Sequence, residues 1–251
     1  MKDNIVYPLL EIRNVKKAFG RVIALNGVSF DVQPGELVGL LGDNGAGKST
    51  LIKLIVGIYE PDEGEILFQG KSLRGLSPGY RRELGIETVP QGGAVVPYLD
   101  VARNFFLGRE ILKTRFLSIL DLSKMHEESA RLIAEMGIRL RSTYERVSFL
   151  SGGERQVISI ARTLYFKGKL ILLDEPTLNL SVRETDKLLE AIALVKNYSI
   201  GIIFVTHNVY HVFDIADKFV ILNRGNLIGV YQKNDVTPND LITCIRTGNP
   251  I

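Results

Sequence analysis

Three short runs of branched hydrophobic residues predict a buried parallel sheet. They cover residues 37–41, 170–173 and 200–205, and each is followed by polar or glycine-rich residues and then by apolar residues at helical spacing. Strands that helices cover on both faces have this uninterrupted hydrophobicity. The pattern therefore predicts an α/β domain. Because ligands bind at the carboxyl ends of such strands, the residues after the three runs are candidates for one shared site.

The amino-terminal region and the middle of the chain follow different patterns. Before residue 36, hydrophobic and polar positions alternate between turn signals at Gly20, Asn26-Gly27 and Pro34-Gly35, which predicts antiparallel strands. Between about residues 91 and 157 the strand-like runs disappear, and helix-spaced hydrophobic residues replace them. We predict a single domain over residues 1–251, with an amino-terminal antiparallel β-subdomain and an inserted helical subdomain at about residues 91–157.

Composition and charge limit which kinds of partner and which cellular compartment are expected for this chain. The chain has 251 residues, 31 of them basic and 28 acidic, for a net charge of +3, and the basic residues cluster no further than pairs such as Lys16-Lys17. A dedicated nucleic-acid surface is therefore not expected. The single cysteine, Cys244, cannot form an intramolecular disulfide, and Asp3 and Pro8 interrupt the amino terminus where a secretion signal is apolar. Because no apolar stretch approaches the roughly 20 residues that cross a bilayer, we expect a cytoplasmic chain that does not itself span a membrane.

A glycine-rich loop after the first hydrophobic run matches the phosphate-binding pattern. Its residues are Gly42, Asp43, Asn44, Gly45, Ala46, Gly47, Lys48, Ser49 and Thr50, and an apolar helix is predicted at residues 51–58. Glycines let backbone N–H groups converge on an anion at the positive end of a helix. We predict that the loop binds a nucleoside triphosphate, with Lys48 at the β and γ phosphates and the Ser49 hydroxyl as a ligand of Mg²⁺.

Two consecutive carboxylates, Asp174 and Glu175, follow the second hydrophobic run. Successive strand residues point to opposite faces, so the two side chains have different roles. We predict that Asp174 holds Mg²⁺ through water, and that Glu175 faces the γ-phosphate and takes a proton from the attacking water. The alternative interpretation is a strand that simply ends in an acidic loop.

A second candidate anion site lies at Ser151-Gly152-Gly153-Glu154, which opens a helix predicted at residues 154–166. The small residues expose backbone N–H groups at the positive end of that helix. The alternative is a capping box, because Ser151 and Glu154 have the required spacing. The two interpretations can coexist in different nucleotide states.

In this order, the phosphate loop, the Ser-Gly-Gly segment and the carboxylate strand resemble an ATP-binding cassette (ABC) ATPase. The resemblance implies a P-loop NTPase fold with a parallel RecA-like core, and ATP and Mg²⁺ as ligands. It also implies that Phe19 stacks on adenine, that Gln91 is a magnesium ligand sensing the membrane partner, and that His207 contacts the γ-phosphate. A core phenylalanine, a solvated glutamine and a structural histidine are the respective alternatives. The other two histidines, His126 and His211, are expected at the surface.

In this family each ATP is held between the phosphate loop of one subunit and the signature of the other, here residues 151–154. The resemblance therefore implies that Ser151, Gly152, Gly153 and Glu154 bind ATP in trans, within a head-to-tail dimer that two copies of the chain form by twofold symmetry. The implied catalytic residues are Glu175, His207, Gln91 and Lys48, and the implied magnesium ligands are Ser49, Gln91 and Asp174.

The segment at residues 104–110, Asn-Phe-Phe-Leu-Gly-Arg-Glu, resembles the ATPases of bacterial importers for ribose, xylose, galactose and fructose. This resemblance covers nearly the whole chain, with three departures. Many members of this sugar branch carry two cassettes in one chain of roughly double this length, whereas this sequence has one. Ser181 stands where the wider family has Asp, although Ser181 and Glu184 keep the spacing of a capping box. Gly92-Gly93 stand where an acidic residue is usual, so this loop is expected to contact the permease differently.

The resemblance implies an ATP-hydrolysing subunit of a bacterial importer, at the cytoplasmic face of the cell membrane, whose solute is a monosaccharide. Its implied partners are a second ABC subunit, transmembrane permease subunits and, indirectly, a periplasmic or extracellular sugar-binding protein. One alternative is an ABC ATPase for another solute, such as an amino acid or a lipid. The other is a soluble ABC switch that acts on nucleic acid or ribosomes.

Overall fold

The computed structural model describes residues 7–91, 95–114, 116, 118–137 and 140–251. The chain forms two compact units. The first contains the described residues up to Thr88, together with Gly168–Glu175 and Val195–Ile251, and the second contains the described residues of Val89–Lys167 and Pro176–Leu194. The second unit is thus built from two chain segments, between which the chain returns briefly to the first unit.

Strands and helices alternate along most of the described chain. The strands are β1 (Leu10–Phe19), β2 (Val22–Val32), β3 (Leu37–Leu41), β4 (Glu63–Phe68), β5 (Lys71–Ser72), β6 (Ile86–Val89), β7 (Leu112–Thr114), β8 (Ile119–Leu120), β9 (Leu170–Asp174), β10 (Gly201–Thr206), β11 (Lys218–Asn223) and β12 (Asn226–Gln232). The α-helices are α1 (Lys48–Val56), α2 (Pro78–Glu83), α3 (Val101–Phe105), α4 (Leu122–Glu135), α5 (Gly152–Tyr165), α6 (Val182–Lys196), α7 (Val209–Phe213) and α8 (Pro238–Thr247). Among the described residues, no helix combines the length and the apolar character that crossing a membrane requires.

A six-stranded sheet has the order β12-β11-β3-β10-β9-β6. Strands β11, β3, β10 and β9 are parallel to one another, and β12 is antiparallel to β11. Thr206 pairs with Leu41, and Val205 pairs with Asp174, so β3, β10 and β9 end at the same level. The predicted parallel sheet is confirmed, and its register brings the residues that follow these strands to one edge.

A separate four-stranded sheet, in the order β2-β1-β4-β5, is antiparallel. Strands β1 and β2 form a hairpin in which Phe19 pairs with Val22. Gly20 takes a φ of +60° in the turn between them, in the left-handed region that glycine enters without a steric penalty. The predicted antiparallel β-subdomain is confirmed.

Side chains of both sheets and of α1 share one hydrophobic cluster in the first unit. Helix α1 contributes Leu51, Leu54 and Ile55, whose spacing of three and four residues gives the helix one apolar stripe. The stripe is buried with side chains of the parallel sheet, among them Leu40 and Leu172. This packing fixes the amino terminus of α1 just after the end of β3.

The hydrophobic pattern predicted that α1 starts at residue 51 and α5 at residue 154, but both helices start earlier. The spacing of hydrophobic residues does not indicate where the capping residues lie. Helix α1 begins at Lys48 after Gly47, and it ends where Gly57 takes a φ of +91° and its N–H donates to the carbonyls of Lys53 and Leu54. Helix α5 begins at Gly152, directly after the capping residue Ser151. The phosphate loop and the signature therefore lie directly at helix starts.

The second unit contains α3, α4, α5 and the part of α6 up to Leu194, together with a small hairpin of β7 and β8. This hairpin falls within residues 91–157, where the sequence pattern indicated only helices. Its strands have three and two residues, too short to give a recognisable hydrophobic alternation.

His126 corrects the expectation of a surface histidine. Its ring is buried in the second unit, stacks on Tyr144 with ring centroids 3.5 Å apart, and places Nδ1 3.0 Å from the Thr143 hydroxyl. Burial lowers the pKa of this imidazole, which favours the neutral form. His126 is therefore a packing residue of the helical unit.

Candidate functional site

The phosphate loop connects β3 to α1, and two of its glycines are fixed by sterics. Gly42 has a φ of +151°, and a Cβ there would lie 2.2 Å from the carbonyl oxygen of Leu222. Gly47 has a φ of +104°, and its Cβ would lie 2.5 Å from the carbonyl oxygen of Ala24. The loop is thus held between β11 on one side and β2 on the other, with no room for a side chain at either position.

Lys48 is the buried cation of this loop. Its side-chain amine donates hydrogen bonds to the carbonyl oxygens of Gly42 (2.6 Å) and Asp43 (3.0 Å). Burial lowers the pKa of Lys48, and the charges of Glu175 and Asp174 oppose that shift. The ammonium group is therefore held against the loop backbone, close enough to both carboxylates for them to favour its charged form.

The amino terminus of α1 provides an anion site beside that ammonium group. Its N-cap is Gly47, which has no side chain to accept from the first-turn N–H groups, and the first turn contains no acidic residue. Ser49, in this turn, is exposed. The unpaired backbone donors and the helix dipole favour an anion at this position, as the sequence motif predicted.

Asp174 and Glu175 lie at the carboxyl end of β9, in the same first unit. Burial raises the pKa of Asp174, and the neighbouring charge of Glu175 raises it further. Glu175 takes a left-handed backbone conformation with φ +48°, and its N–H donates to the carbonyl of Val205 at 3.0 Å. The unusual conformation turns the chain at the strand end, a kind of backbone strain that is concentrated at functional sites.

His207 follows β10 and contacts Glu175 directly, with 3.0 Å between Nδ1 and Oε1. The Glu175 side chain is 14% exposed and that of His207 48% exposed. The turn after β10 is organised by Asn208, which sequence reasoning missed: its N–H donates to the Thr206 hydroxyl, and its amide lies 3.0 Å from Nε2 of His211. The structure thus brings three predicted residues, Lys48, Glu175 and His207, to one edge of the sheet.

Phe19 ends β1 and remains 42% exposed. Its ring packs edge-to-face on Tyr59 with centroids 5.0 Å apart, and the Lys17 amine lies 5.5 Å from the ring centre. An exposed aromatic ring backed by a second ring is suited to stack on a planar base. Tyr59 was not singled out from the sequence, because nothing in the local pattern links it to a residue 40 positions earlier.

In the second unit, Ser151 and Glu154 form the capping box that sequence analysis gave as the alternative. The Ser151 hydroxyl accepts from the N–H of Glu154 at 3.3 Å, and the Glu154 carboxylate accepts from the N–H of Ser151 at 2.8 Å. Beside it, Ser181 and Glu184 form the second predicted capping box, with backbone donors at 3.0 and 3.4 Å. The start of α6 is therefore preserved without the aspartate usual in the family.

Gln91 also belongs to the second unit, where it is exposed two residues after the end of β6. The predicted departure at Gly92-Gly93 lies outside the described residues.

Asn104, the first residue of the segment at 104–110, is fully buried. Its side-chain oxygen accepts from the N–H of Val96, and its amide group donates to the carbonyls of Val96, Leu99 and Asp100. This asparagine fixes the loop that leads into α3.

Three of the predicted side chains have oxygen donors suited to Mg²⁺: the Ser49 hydroxyl, the Asp174 carboxylate and the Gln91 amide. Ser49 and Gln91 are exposed and Asp174 is partly exposed, so a hydrated ion can reach each of them. Within the described part of the chain, no group of three His, Cys, Asp or Glu residues is placed to hold a metal ion without a nucleotide. The oxygen donors of these three side chains fit the ligand chemistry of Mg²⁺.

A phosphate loop at a helix start, with a carboxylate pair and a histidine at the neighbouring strand ends, defines a phosphate-loop nucleoside triphosphatase. Comparison with known proteins is more specific. The chain belongs to the ABC transporter family, whose pattern matches residues 25–178.

Several curated relatives align over nearly the whole chain. It is 45% identical to the xylose/arabinose import ATP-binding protein XylG of Sulfolobus acidocaldarius, over 95% of this chain and 94% of the relative. It is 40% identical to the fructose import ATP-binding protein FrcA of Rhizobium meliloti, over 94% and 92% respectively. The ribose import ATP-binding protein RbsA of Caldanaerobacter subterraneus is 37% identical over 94% of this chain, which spans 47% of that longer relative.

Solved structures confirm the fold. The ATP-binding cassette MJ1267 in its ADP conformation has a TM-score of 0.82 at 23% identity, over 97% of this chain and all of the other. The dimeric cassette MJ0796 has a TM-score of 0.75 at 21% identity, over 89% and 98%. The predicted α/β ABC-ATPase fold is confirmed by these structures, and the predicted ATPase class by the family. The roles of the individual site residues stay predictions.

Proposed function

We propose that the chain is the ATP-hydrolysing subunit of an importer for a monosaccharide. Relatives that are 37–45% identical are import ATP-binding proteins for xylose or arabinose, fructose and ribose. The observation that carries the proposal is the arrangement at the edge of the parallel sheet, where the buried ammonium of Lys48 and the contacting pair of Glu175 and His207 lie beside an open helix start. This arrangement is suited to binding and cleaving a triphosphate.

Binding of ATP starts with the phosphate loop. The backbone N–H groups at the start of α1 receive the phosphate oxygens, and the Lys48 ammonium transfers its hydrogen bonds from the loop carbonyls to the β and γ phosphates. Phe19, backed by Tyr59, stacks on the adenine ring. These contacts orient the γ-phosphate toward the ends of β9 and β10.

Hydrolysis then requires a base and a residue that positions it. Glu175 accepts a proton from the attacking water, while His207 holds one carboxylate oxygen of Glu175 and contacts the γ-phosphate. Ser49, Asp174 and Gln91 would hold Mg²⁺, which supplies positive charge to the phosphate oxygens when it is bound. Asp174 is the last residue of β9, and its carboxylate is suited to be an oxygen ligand of the ion, while Glu175 receives the proton.

A single chain supplies one phosphate loop and one signature, so a complete site requires two copies. In a head-to-tail dimer, the γ-phosphate is shared by Lys48 and His207 of one subunit and by Ser151 and Gly153 of the partner subunit, with Gly152 and Glu154 completing the signature helix start. ATP favours the closed dimer through its contacts with both subunits. Loss of the γ-phosphate removes those bridging contacts, and the dimer reopens.

Transport follows if the dimer is bound to membrane partners. We place the chain at the cytoplasmic face of the membrane, attached to transmembrane permease subunits, with a sugar-binding protein delivering the solute from outside. Closing and reopening of the dimer then switches the permease between its two orientations.

The test is sugar-stimulated ATPase activity after reconstitution of the chain with its cognate permease and binding protein. We expect stimulation by xylose, arabinose, fructose or ribose, none by a panel of amino acids, and none by any sugar when the Glu175→Gln variant replaces the native chain. Stimulation by an amino acid alone would overturn the sugar assignment. ATP hydrolysis that no solute affects, together with co-purification of ribosomes, would overturn the importer assignment.

A further inference from the structure

The starts of helices α5 and α6 lie directly against each other in the second unit. A Cβ at Gly152 would lie 2.7 Å from Cδ2 of Leu180, and a Cβ at Gly153 would lie 3.2 Å from Cβ of Glu184. A side chain at either signature glycine would therefore crowd the start of α6. The approach places Glu184 beside the signature.

The carboxylate of Glu184 accepts two hydrogen bonds from Ser181 and belongs to a residue that lies beside the start of α5. Ser181 donates through its N–H at 3.0 Å and through its hydroxyl at 2.7 Å. Hydrogen bonding from Ser181, and to a smaller extent from the Ser151 hydroxyl and the Gly153 N–H, lowers the pKa of Glu184 to about 2. The side chain is consequently an anion at physiological pH.

Two of these donors are the ones that the proposed function assigns to ATP. The Ser151 hydroxyl has one hydrogen, and so has the backbone N–H of Gly153. Neither hydrogen can serve the Glu184 carboxylate and a phosphate oxygen fully at the same time, and two anions beside one helix start repel each other. The γ-phosphate bound to the opposite subunit therefore meets a helix start that already holds an anion.

We propose that Glu184 is an internal competitor of the nucleotide, which occupies the signature donors in the free subunit and releases them only when the partner's ATP arrives. This inference rests on the proposed function and adds regulation to that site. The competitor raises the ATP concentration at which the dimer closes. After hydrolysis it recaptures the Ser151 hydroxyl and the Gly153 N–H, which favours reopening.

The test measures ATP-driven dimer formation in a background that does not hydrolyse ATP. Light scattering against ATP concentration, with Mg²⁺, is compared for the full chain carrying Glu175→Gln alone and with Glu184→Gln added. The glutamine keeps the size and an acceptor oxygen but removes the negative charge. We expect the half-saturating ATP concentration for dimer formation to fall about fivefold or more, the lower end of the usual coupling between two binding sites. The matched control is Glu190→Gln, which removes an exposed carboxylate of the same helix and should change nothing.

A second variant, Glu184→Asp, separates competition from helix capping. In α8 the aspartate at the corresponding position, Asp240, closes a capping box with Thr237, so aspartate supports this cap in the same chain. The shorter side chain keeps the charge and the cap but withdraws the carboxylate from α5, and we expect it also to lower the half-saturating ATP concentration. It serves as the test if Glu184→Gln does not fold, as judged by thermal unfolding.

The outcomes distinguish the two proposals. If the Glu175→Gln parent does not dimerise with ATP, the proposed function is overturned and this inference falls with it. If the parent dimerises and the Glu184 variants behave like Glu190→Gln, only the competitor role is overturned. A rise in the half-saturating concentration in both Glu184 variants would also overturn it, because Glu184 would then position the donors for ATP instead of competing for them.

Discussion

The Nδ1 atom of His207 lies 3.0 Å from Oε1 of Glu175, although the two residues are 32 positions apart in the sequence. The register of β9 and β10 produces this contact, because Val205 pairs with Asp174 and because Glu175 and His207 each follow the end of one of these strands. One oxygen of the carboxylate is thereby engaged by the imidazole. The contact fixes the orientation of the proposed base before any nucleotide binds.

We therefore expect Glu175→Gln to lower ATP turnover by about 10²–10⁴-fold, the usual contribution of a general base. The amide cannot take the proton of water, but it keeps the size of the side chain and a hydrogen bond to His207. ATP binding should be retained, so this variant should accumulate an ATP-bound dimer. Phosphate release and light scattering with excess ATP and Mg²⁺ check the two statements. A variant that stays monomeric under these conditions would contradict the dimer, and one that hydrolyses ATP at the native rate would contradict the role of Glu175.

Lys48→Ala should act on a different step, the binding of ATP itself. A hydrogen bond between charged groups contributes about 1.5–3 kcal/mol, so we expect the affinity for ATP to fall by about 10- to 150-fold. Titration of a fluorescent ATP analogue measures the change. The control is Lys71→Ala, which removes an exposed lysine of β5 and should leave the affinity unchanged. Equal affinities in the two variants would show that the loop does not bind phosphate as proposed.

Asp174 gives a prediction about pH. Burial, and after it the charge of Glu175, raise the pKa of Asp174 above its ordinary value of 3.8, so the folded protein binds this proton more readily than the unfolded chain. Its contribution to stability is therefore fully present below the unfolded pKa and is lost as the pH rises through the folded pKa. At pH 7 the ionised carboxylate destabilises the nucleotide-free protein.

The variant Asp174→Asn should accordingly raise the melting temperature of the nucleotide-free protein at pH 7, by about 2–4 °C for a gain of about 1 kcal/mol in a domain of this size. The gain should shrink as the pH falls toward 4. ATP with Mg²⁺ should also stabilise the Asp174→Asn variant less than it stabilises the native chain. Calorimetry at several pH values, with and without nucleotide, checks both statements. Asp186→Asn, at an exposed position of α6, is the control. A gain that is the same at every pH would contradict the electrostatic explanation.

The parts of the site that lie within one continuous motif could be predicted from the sequence, because backbone geometry dictates them. The Gly42 and Lys48 positions follow from the strand-loop-helix pattern, and the convergence of Glu175 and His207 follows from parallel strands that end in polar residues. The contact between Phe19 and Tyr59 could not be predicted in this way. It depends on how separate elements pack, which local hydrophobic spacing does not encode.

The exact starts of α1 and α5, the β7-β8 hairpin and the buried state of His126 escaped prediction for related reasons. Caps are set by single residues such as Gly47 and Ser151, which hydrophobic periodicity ignores. The hairpin strands are too short for a period to register, and a histidine on an amphipathic helix gives no local sign of which face is covered. The approach of Glu184 to Ser151 is of the same kind, since it requires two helix starts to meet.

Arg81 is a further residue that the sequence shows only as one of two adjacent basic residues, and its position predicts a large effect on stability. The side chain is 1% exposed and donates to the carbonyls of Leu54 and Ile55 at the end of α1 and to Glu60. The Leu54 carbonyl also accepts from the N–H of Gly57, and the guanidinium group adds a second donor at this carboxyl end of the phosphate-loop helix. Arg81→Met should lower the free energy of unfolding by about 1–3 kcal/mol, because it removes a buried donor from the Leu54 and Ile55 carbonyls and from the Glu60 carboxylate.

Chemical denaturation of the nucleotide-free chain measures this effect, and Arg82→Met is the matched control. Arg82 pairs with Glu87 at 3.1 Å, but its side chain is 38% exposed, so its loss should cost at most about 1 kcal/mol. The order of the two effects is the decisive result, because both variants remove one positive charge from the same short helix α2. If the two arginines have equal effects, net charge explains the loss and capping of α1 does not. The result that supports capping is a lower denaturation midpoint for Arg81→Met alone, together with partial recovery of stability when ATP is added. ATP would then stabilise α1 at its amino end, and Arg81 would stabilise the same helix at its carboxyl end.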